Sequence, residues 1–266
     1  MYHLAEEDNM KIIDNYRDLP IGMYLDICAI DKDESIDELQ RQVSIIAILT
    51  GRTEEEIYNL PLEQYRELAA KTSFLAREYD GEVLTAKTYG INGMVLIPID
   101  DYRKITTAQY IDFQTFAREP EKNIVELLSC MLVPKGKKYN QDYDVLELQK
   151  ALRMHLSVAD ALSLLAFFFH QMASVNQGFT NLLQGGSNEV ERSGEEEESS
   201  EGDTEARGFA ERWGWIANVD AVSETCRCSW DEVWVMTAIE FLNILAYRKD
   251  KAEKEKADIE RWKRRN

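Results

Sequence analysis

Histidine, cysteine and proline are scarce in this chain, with three, four and five residues among 266. The four cysteines, Cys28, Cys130, Cys226 and Cys228, are too few and too scattered to form a disulfide framework. A structural zinc needs four well-spaced ligands, usually two pairs, and Cys226-Arg-Cys228 supplies at most half of such a set. The other candidates, His3, His155, His170, Cys28 and Cys130, stand singly in separate predicted elements. No G-x-S-x-G, G-x-x-x-x-G-K-[ST] or H-E-x-x-H occurs, so no motif joins a nucleophile to a base or a metal to its ligands. The expectation is a protein without catalytic residues, cofactor or metal.

Two further absences narrow the class. The longest apolar run, Ala161 to Phe169, is about half of the roughly 20 residues that span a bilayer, so a buried helix is expected and no membrane partner. Basic charge is also lacking: the formal charge is −18, against the net basic surface that phosphate binding requires, so no nucleic acid is expected. The N-terminus, MYHLAEEDNMKIIDNY, has neither the positive region nor the apolar region of a signal peptide, and a cytosolic protein is expected.

What the chain has is 44% hydrophobic residues, enough for a real core, and strong helical patterning. Ser35-x-x-Glu38, Thr53-x-x-Glu56 and Ser229-x-x-Glu232 match the capping box, in which hydroxyl and carboxylate satisfy orphan amides at a helix start. The first opens a helix expected to end at Gly51, and Pro61 is expected at the first position of another. Helical patterns follow in TTAQYIDFQTFA, PEKNIVELLSCMLV, YDVLELQKALRM and SVADALSLLAFFFHQMASVNQGFTNLL. Between 82 and 98 the period changes around Ile91-Asn92-Gly93, which predicts one β-hairpin. No fixed-period repeat stands out.

The predicted fold class is mainly α: a helical body over 1–183 carrying the hairpin near 82–98, an acidic flexible linker over 184–208, and a small helical hairpin over 209–266. The linker is drawn from glycine, serine and the run Glu195 to Glu198, a composition that repels itself and buries nothing. Cys226 to Cys228 falls in the turn of the hairpin, whose second helix is expected to run unbroken from Trp230 almost to the C-terminus. Cys130 reads as an inert thiol, His170 as a hydrogen-bonded structural histidine, and Asp100-Asp101 as solvated surface.

The hairpin carries more apolar surface than two helices can cover. Trp230, Val233, Trp234, Thr237, Phe241, Ile244 and Leu245 form one stripe, and Phe209, Trp213, Trp215, Ile216 and Val219 lie on the preceding helix. Either it folds back on the body, or Trp213, Trp215, Trp230, Trp234 and Phe241 meet a partner helix or a second copy, making a homo-oligomer. The last segment, RKDKAEKEKADIERWKRRN, reads as a solvated charged helix, with contact to the acidic linker or an acidic partner as the alternative.

Three stretches, ITTAQYIDFQTFAREPEKNIVELLSCMLVPKGKKY, LSVADALSLLAFFF and WGWIANVDAVSETCRCSWDEVWVMTAIEFLNILAYRKDKAEKE, together resemble the tail assembly chaperone-like proteins of tailed bacteriophages, especially those of Bacteroidetes hosts. The resemblance implies a non-enzymatic chaperone that coats the tape measure protein and recruits tail tube subunits. It also implies a location in the host cell cytoplasm and departure before the virion is complete. The β-hairpin and the size of the N-terminal body have no counterpart in that pattern. Other classes consistent with the residues are a metal-binding protein or regulator centred on Cys226 and Cys228, and a virion structural or adaptor subunit.

Overall fold

The computed structural model describes residues 12–77, 79, 88–179 and 213–265. The fold is mainly α with one small sheet. In chain order come α1 (Ile21–Asp31), α2 (Glu38–Thr50), α3 (Glu54–Tyr58), α4 (Leu62–Lys71), β1 (Tyr89–Ile91), β2 (Met94–Pro98), α5 (Thr107–Phe116), α6 (Ile124–Met131), β3 (Leu132–Pro134), α7 (Val145–His155), α8 (Val158–Gly178), α9 (Trp215–Cys226), α10 (Trp230–Val235) and α11 (Ala238–Arg265). Short 3-10 turns follow α4 at Thr72–Ala76 and precede α5 at Tyr102–Lys104.

The capping chemistry explains most helix starts. Thr53, Thr106 and Ser229 each accept from the third-following amide while Glu56, Gln109 and Glu232 reach back, so two orphan donors are met at each start. α2 departs from the expected pattern: Asp37 is its cap, accepting from the Gln40 amide, while Ser35 is drawn into a turn by the Asp33 carboxylate. Pro61 sits at the cap position of α4, one residue before its predicted place. Gly51 ends α2 at φ 68°, a left-handed conformation that glycine adopts without a Cβ penalty.

Asn92 and Gly93, both at positive φ, form the two-residue turn of the hairpin, with Ile91 opposite Met94. Of the predicted 82–98 stretch, 82–87 lies outside the described residues. A third strand was not anticipated. β3 pairs antiparallel with β2, Leu96 opposite Pro134, where a single helix was read through MLV. Proline biases the residue before it to extended backbone, so Val133-Pro134 cannot prolong α6.

Packing divides the chain differently from composition: Met1–Pro98 goes with Leu132–Phe167, and Ile99–Met131 with Phe168–Asn266. The boundary at 183 is therefore not a packing boundary, because α5 and α6 associate with the segment after 209 rather than with the N-terminal helices. The acidic stretch 184–208 lies outside the described residues.

In the first unit, α1 packs on α2 and α7, and Val43, Ile46, Ala47, Ile57 and Leu68 bury one cluster among α2, α3 and α4. Each of the Val, Ile and Leu side chains fully removed from water contributes about 1.5–3 kcal/mol. Tyr16 sits edge-on to Tyr24, Phe74 and Tyr79. The start of α1 is tied to the start of α8 by an antiparallel bridge between Pro20 and Ser157: the Ile21 amide donates to the Leu156 carbonyl and the Val158 amide to the Leu19 carbonyl, each at 2.8 Å.

The second unit repeats this device. Thr106 and Thr237 form a bridge in which the Thr107 amide donates to the Met236 carbonyl at 2.9 Å and the Ala238 amide to the Ile105 carbonyl at 2.8 Å. The flanking sequences correspond. Leu19-Pro-Ile-Gly-Met-Tyr-Leu-Asp26 aligns position for position with Ile105-Thr-Thr-Ala-Gln-Tyr-Ile-Asp112, and Leu156-Ser-Val-Ala-Asp-Ala-Leu162 with Met236-Thr-Ala-Ile-Glu-Phe-Leu242. The bridge also breaks the expected long C-terminal helix, since Met236 is extended and Thr237 caps a new helix by accepting from the Glu240 amide.

α8 is long and apolar enough to cross a bilayer by length and composition, but Ala161, Leu164, Phe168, Met172 and Val175 are buried against protein, as in a core helix.

Close approach at the first bridge requires a glycine. A Cβ on Gly22 would lie 2.6 Å from the Arg153 carbonyl oxygen, a backbone atom that can move only with α7. Gly22→Ala is expected to destabilise the protein by about 1–3 kcal/mol, read as a lower urea midpoint; an unchanged midpoint would show that α1 and α7 are not held at this distance.

Candidate partner-binding surface

The cysteine pair sits where α9 meets α10. Arg227 takes a left-handed conformation at φ 56° and ends α9; the Cys228 amide then donates to the Ser223 carbonyl at 3.1 Å, and the Ser223 hydroxyl to the Cys228 carbonyl at 2.6 Å. Ser229 opens α10 immediately. This is a closed helix–helix turn, held by main-chain groups rather than by the thiols. Cys226 is exposed and Cys228 half-buried, with burial raising the Cys228 thiol above its ordinary value and Cys226 and Glu232 adding to the effect. Such a thiol is less ionised at neutral pH, the opposite of an activated nucleophile.

Among the described residues no group of three or more His, Cys, Asp or Glu side chains could hold a metal. Cys130 is buried. His155 and His170 are exposed. His170 thus lies on the outer side of α8, away from the core position expected of it, because the buried stripe passes through Phe168 and Met172. His3 lies outside the described residues. Asp101 is not a plain solvated carboxylate: hydrogen bonds from the Arg103 guanidinium and amide hold it down to about 2. A cleft of about 400 Å³ on α1 and α2 is lined by Met23, Asp26, Ile30, Ile48, Arg52 and Glu54, with no thiol or imidazole in it.

The aromatic residues separate into two groups. Phe241 is fully buried and Trp215 half-buried, and their rings lie 6.4 Å apart; Trp215 also stands edge-on to Tyr110 of α5 at 5.8 Å. Tyr110 is itself buried, its hydroxyl donating to the Asn176 side chain at 3.1 Å, and desolvation pushes it up to about 12, so it stays neutral at physiological pH. Trp234 is half-buried beside the buried Val233. Trp215 thus joins α9 to both α5 and α11, and Phe241 has no surface left to offer. α5 is held in turn by Gln109, whose side chain caps its own helix and donates to the Cys130 carbonyl at the end of α6.

The other group faces outward. Trp213 is 47% exposed and Trp230 44%. The Trp230 indole N–H donates to Asp220 at 3.2 Å, which lays the ring along α9 one turn from the exposed Ile216. Val235, at the end of α10, is also exposed. Periodicity within 209–266 could not say that Tyr110, from a distant segment, would meet the Trp215 ring. Phe113 and Phe169 pack edge-on at 5.2 Å in this same unit. No protein-family model matches the chain, and neither a curated protein nor a solved structure matches it.

The turn can be tested directly. Arg227→Gly removes the Cβ penalty of a left-handed residue and is expected to stabilise the protein by up to about 1 kcal/mol in urea unfolding; destabilisation would mean that the Arg227 side chain has a role beyond the turn. Brief alkylation of native protein, mapped by mass spectrometry, should label Cys226 ahead of Cys228 and reach Cys130 only after unfolding. Early labelling of Cys130 would contradict its burial.

Proposed function

We propose that this protein is a non-catalytic assembly chaperone of tailed bacteriophages, acting in the host cytoplasm to hold the tape measure protein and bring tail tube subunits to it. The observation that carries the reading is the partial closure of the tryptophan-rich segment: the Trp215 ring meets Tyr110 of α5 and Phe241 of α11, while Trp213 and Trp230 are exposed with Ile216 and Val235. Large aromatics at a surface are favoured anchors for another protein, since each removes much area from water with little side-chain entropy to lose. The formal charge of −18 supports the same role, because mutual repulsion keeps a client-loaded protein from aggregating. The resemblance in the order of segments supplies the clients.

The test is co-expression of the full chain with the tape measure protein or with the tail tube protein. Trp213→Ala/Trp230→Ala is expected to abolish co-purification with at least one of them while leaving the far-ultraviolet circular dichroism unchanged. Undiminished recovery of both clients would remove these two residues from the contact, and failure of the unmodified chain to recover either would remove the function.

A further inference from the structure

α11 continues far beyond the unit that holds its beginning. Ala238, Phe241 and Leu242 are buried, and Arg248 donates to the Ala221 carbonyl and, at 2.7 Å, to the Thr225 hydroxyl of α9. From Asp250 to Arg265 every residue is exposed except Ala257, which is half-buried. That length is about 24 Å of helix.

The exposed portion nevertheless carries a face suited to packing. Leu245, Arg248, Ala252, Glu255, Ile259 and Trp262 are spaced alternately three and four residues apart, the interval that keeps a seam on one side of a coiled coil. The seam starts inside the unit, where α9 lies against it, and runs on past Arg227, where α9 has ended. At that end a groove of about 440 Å³ opens between Glu224 and Arg227 on one side and Tyr247, Lys251, Ala252 and Glu255 on the other. Beyond it Ile259 is 55% and Trp262 66% exposed. A second helix laid end to end with α9 would cover the groove and the seam together.

Charge selects the occupant. Between Arg248 and Arg265 stand nine Lys and Arg against five Asp and Glu, in a chain of net charge −18. Lys256 and Lys263 border the seam on one side, and Lys251 borders it on the other ahead of Asp258. A second copy of α11 fits poorly. Antiparallel, the Lys256 and Lys263 edges of the two helices would face each other; parallel, Lys251 would meet Lys256. The five interleaved carboxylates likewise oppose a nucleic-acid backbone.

We propose that the exposed part of α11 is a docking helix for a partner protein's amphipathic helix whose apolar stripe is bordered by Asp and Glu, seated against Ala252, Ile259 and Trp262 with its acids beside Lys256 and Lys263. This surface is separate from the one around Trp213 and Trp230 and does not depend on the chaperone reading.

The probe is a synthetic peptide of four heptads with leucine on its seam and glutamate on both borders, compared with the same peptide bordered by lysine. Titrated into the full-length protein and followed by fluorescence anisotropy, the glutamate peptide should bind and the lysine peptide should not. Ile259→Ala/Trp262→Ala and Lys256→Glu/Lys263→Glu should each weaken binding by about tenfold or more, with circular dichroism unchanged, and added salt should weaken it further. Failure of the glutamate peptide to bind, equal binding of both peptides, or indifference to either variant would overturn the proposal. So would a dimer in sedimentation equilibrium that Ile259→Ala/Trp262→Ala dissolves, which would make the seam a self-interface. A single-stranded oligonucleotide that displaces the bound peptide through Lys256 and Lys263 would overturn it in favour of nucleic acid.

Discussion

Two pairs of helix starts, each joined back to back by main-chain hydrogen bonds, set the geometry on which both units depend. The first amides of a helix have no partner within it. At Ile21 and Val158, and again at Thr107 and Ala238, the first helical amide instead donates to a carbonyl preceding the other helix of the pair. Each such bond contributes only about 0.5–1.5 kcal/mol net, but leaving a buried amide without a partner costs about 1–3 kcal/mol. The bridges therefore work chiefly by exclusion: sliding or splaying one helix of a pair strands two buried donors. Leu19, Ile105 and Leu156, the apolar residues just before the caps, are buried at these crossings and seal them from water.

The correspondence between the bridges extends to chemistry and shows where the units diverged. Tyr24 and Tyr110 hold matching positions after the bridge, as do Asp26 and Asp112. Gly22, pressed against the Arg153 carbonyl, corresponds to Ala108, so α1 meets α7 where even a methyl group is excluded. The members are interleaved along the chain: α1 waits for α8, and α5, laid down between them, waits for α11. That interleaving, with unequal spacing between corresponding segments, hides the correspondence from any search for a fixed period. It also explains why composition mislocated the division between units. A glycine- and glutamate-rich stretch marks where chain composition changes, whereas the packing partner of the last segment was laid down at 99–131.

What the residues revealed unaided was local. Capping boxes at Thr53 and Ser229, the left-handed stop at Gly51 and the Asn92-Gly93 turn are decided by groups within a few positions of one another, and each formed as its chemistry requires. The break at Met236-Thr237 was missed because the apolar period passes through it unaltered; only the carbonyl and amide of Ile105 and Thr107 give the chain a reason to open there. β3 failed to register for a similar reason, since MLV is as apolar as the helix before it and its extended form is rewarded by β2. The candidate surface was half legible. Sequence identified a segment rich in aromatic area, and the cover that Tyr110 gives Trp215 comes from α5, which no periodicity in 209–266 could supply.

Exposed aromatic rings invite indiscriminate association unless charge surrounds them, and the distribution of charge here is suited to that. An apolar patch alone attracts any other apolar patch. Here Trp230 is fixed by Asp220, with the N-terminal carboxylates of α10, Asp231 and Glu232, on the residues that follow it. Like-charged chains approaching through this face bring acids against acids, which opposes self-association at modest salt. The exposed end of α11 carries the reverse sign. Trp215 joins the two helices that carry these charges, its ring meeting Tyr110 of α5 and Phe241 of α11, so that losing this half-buried ring would loosen α9 and α11 together.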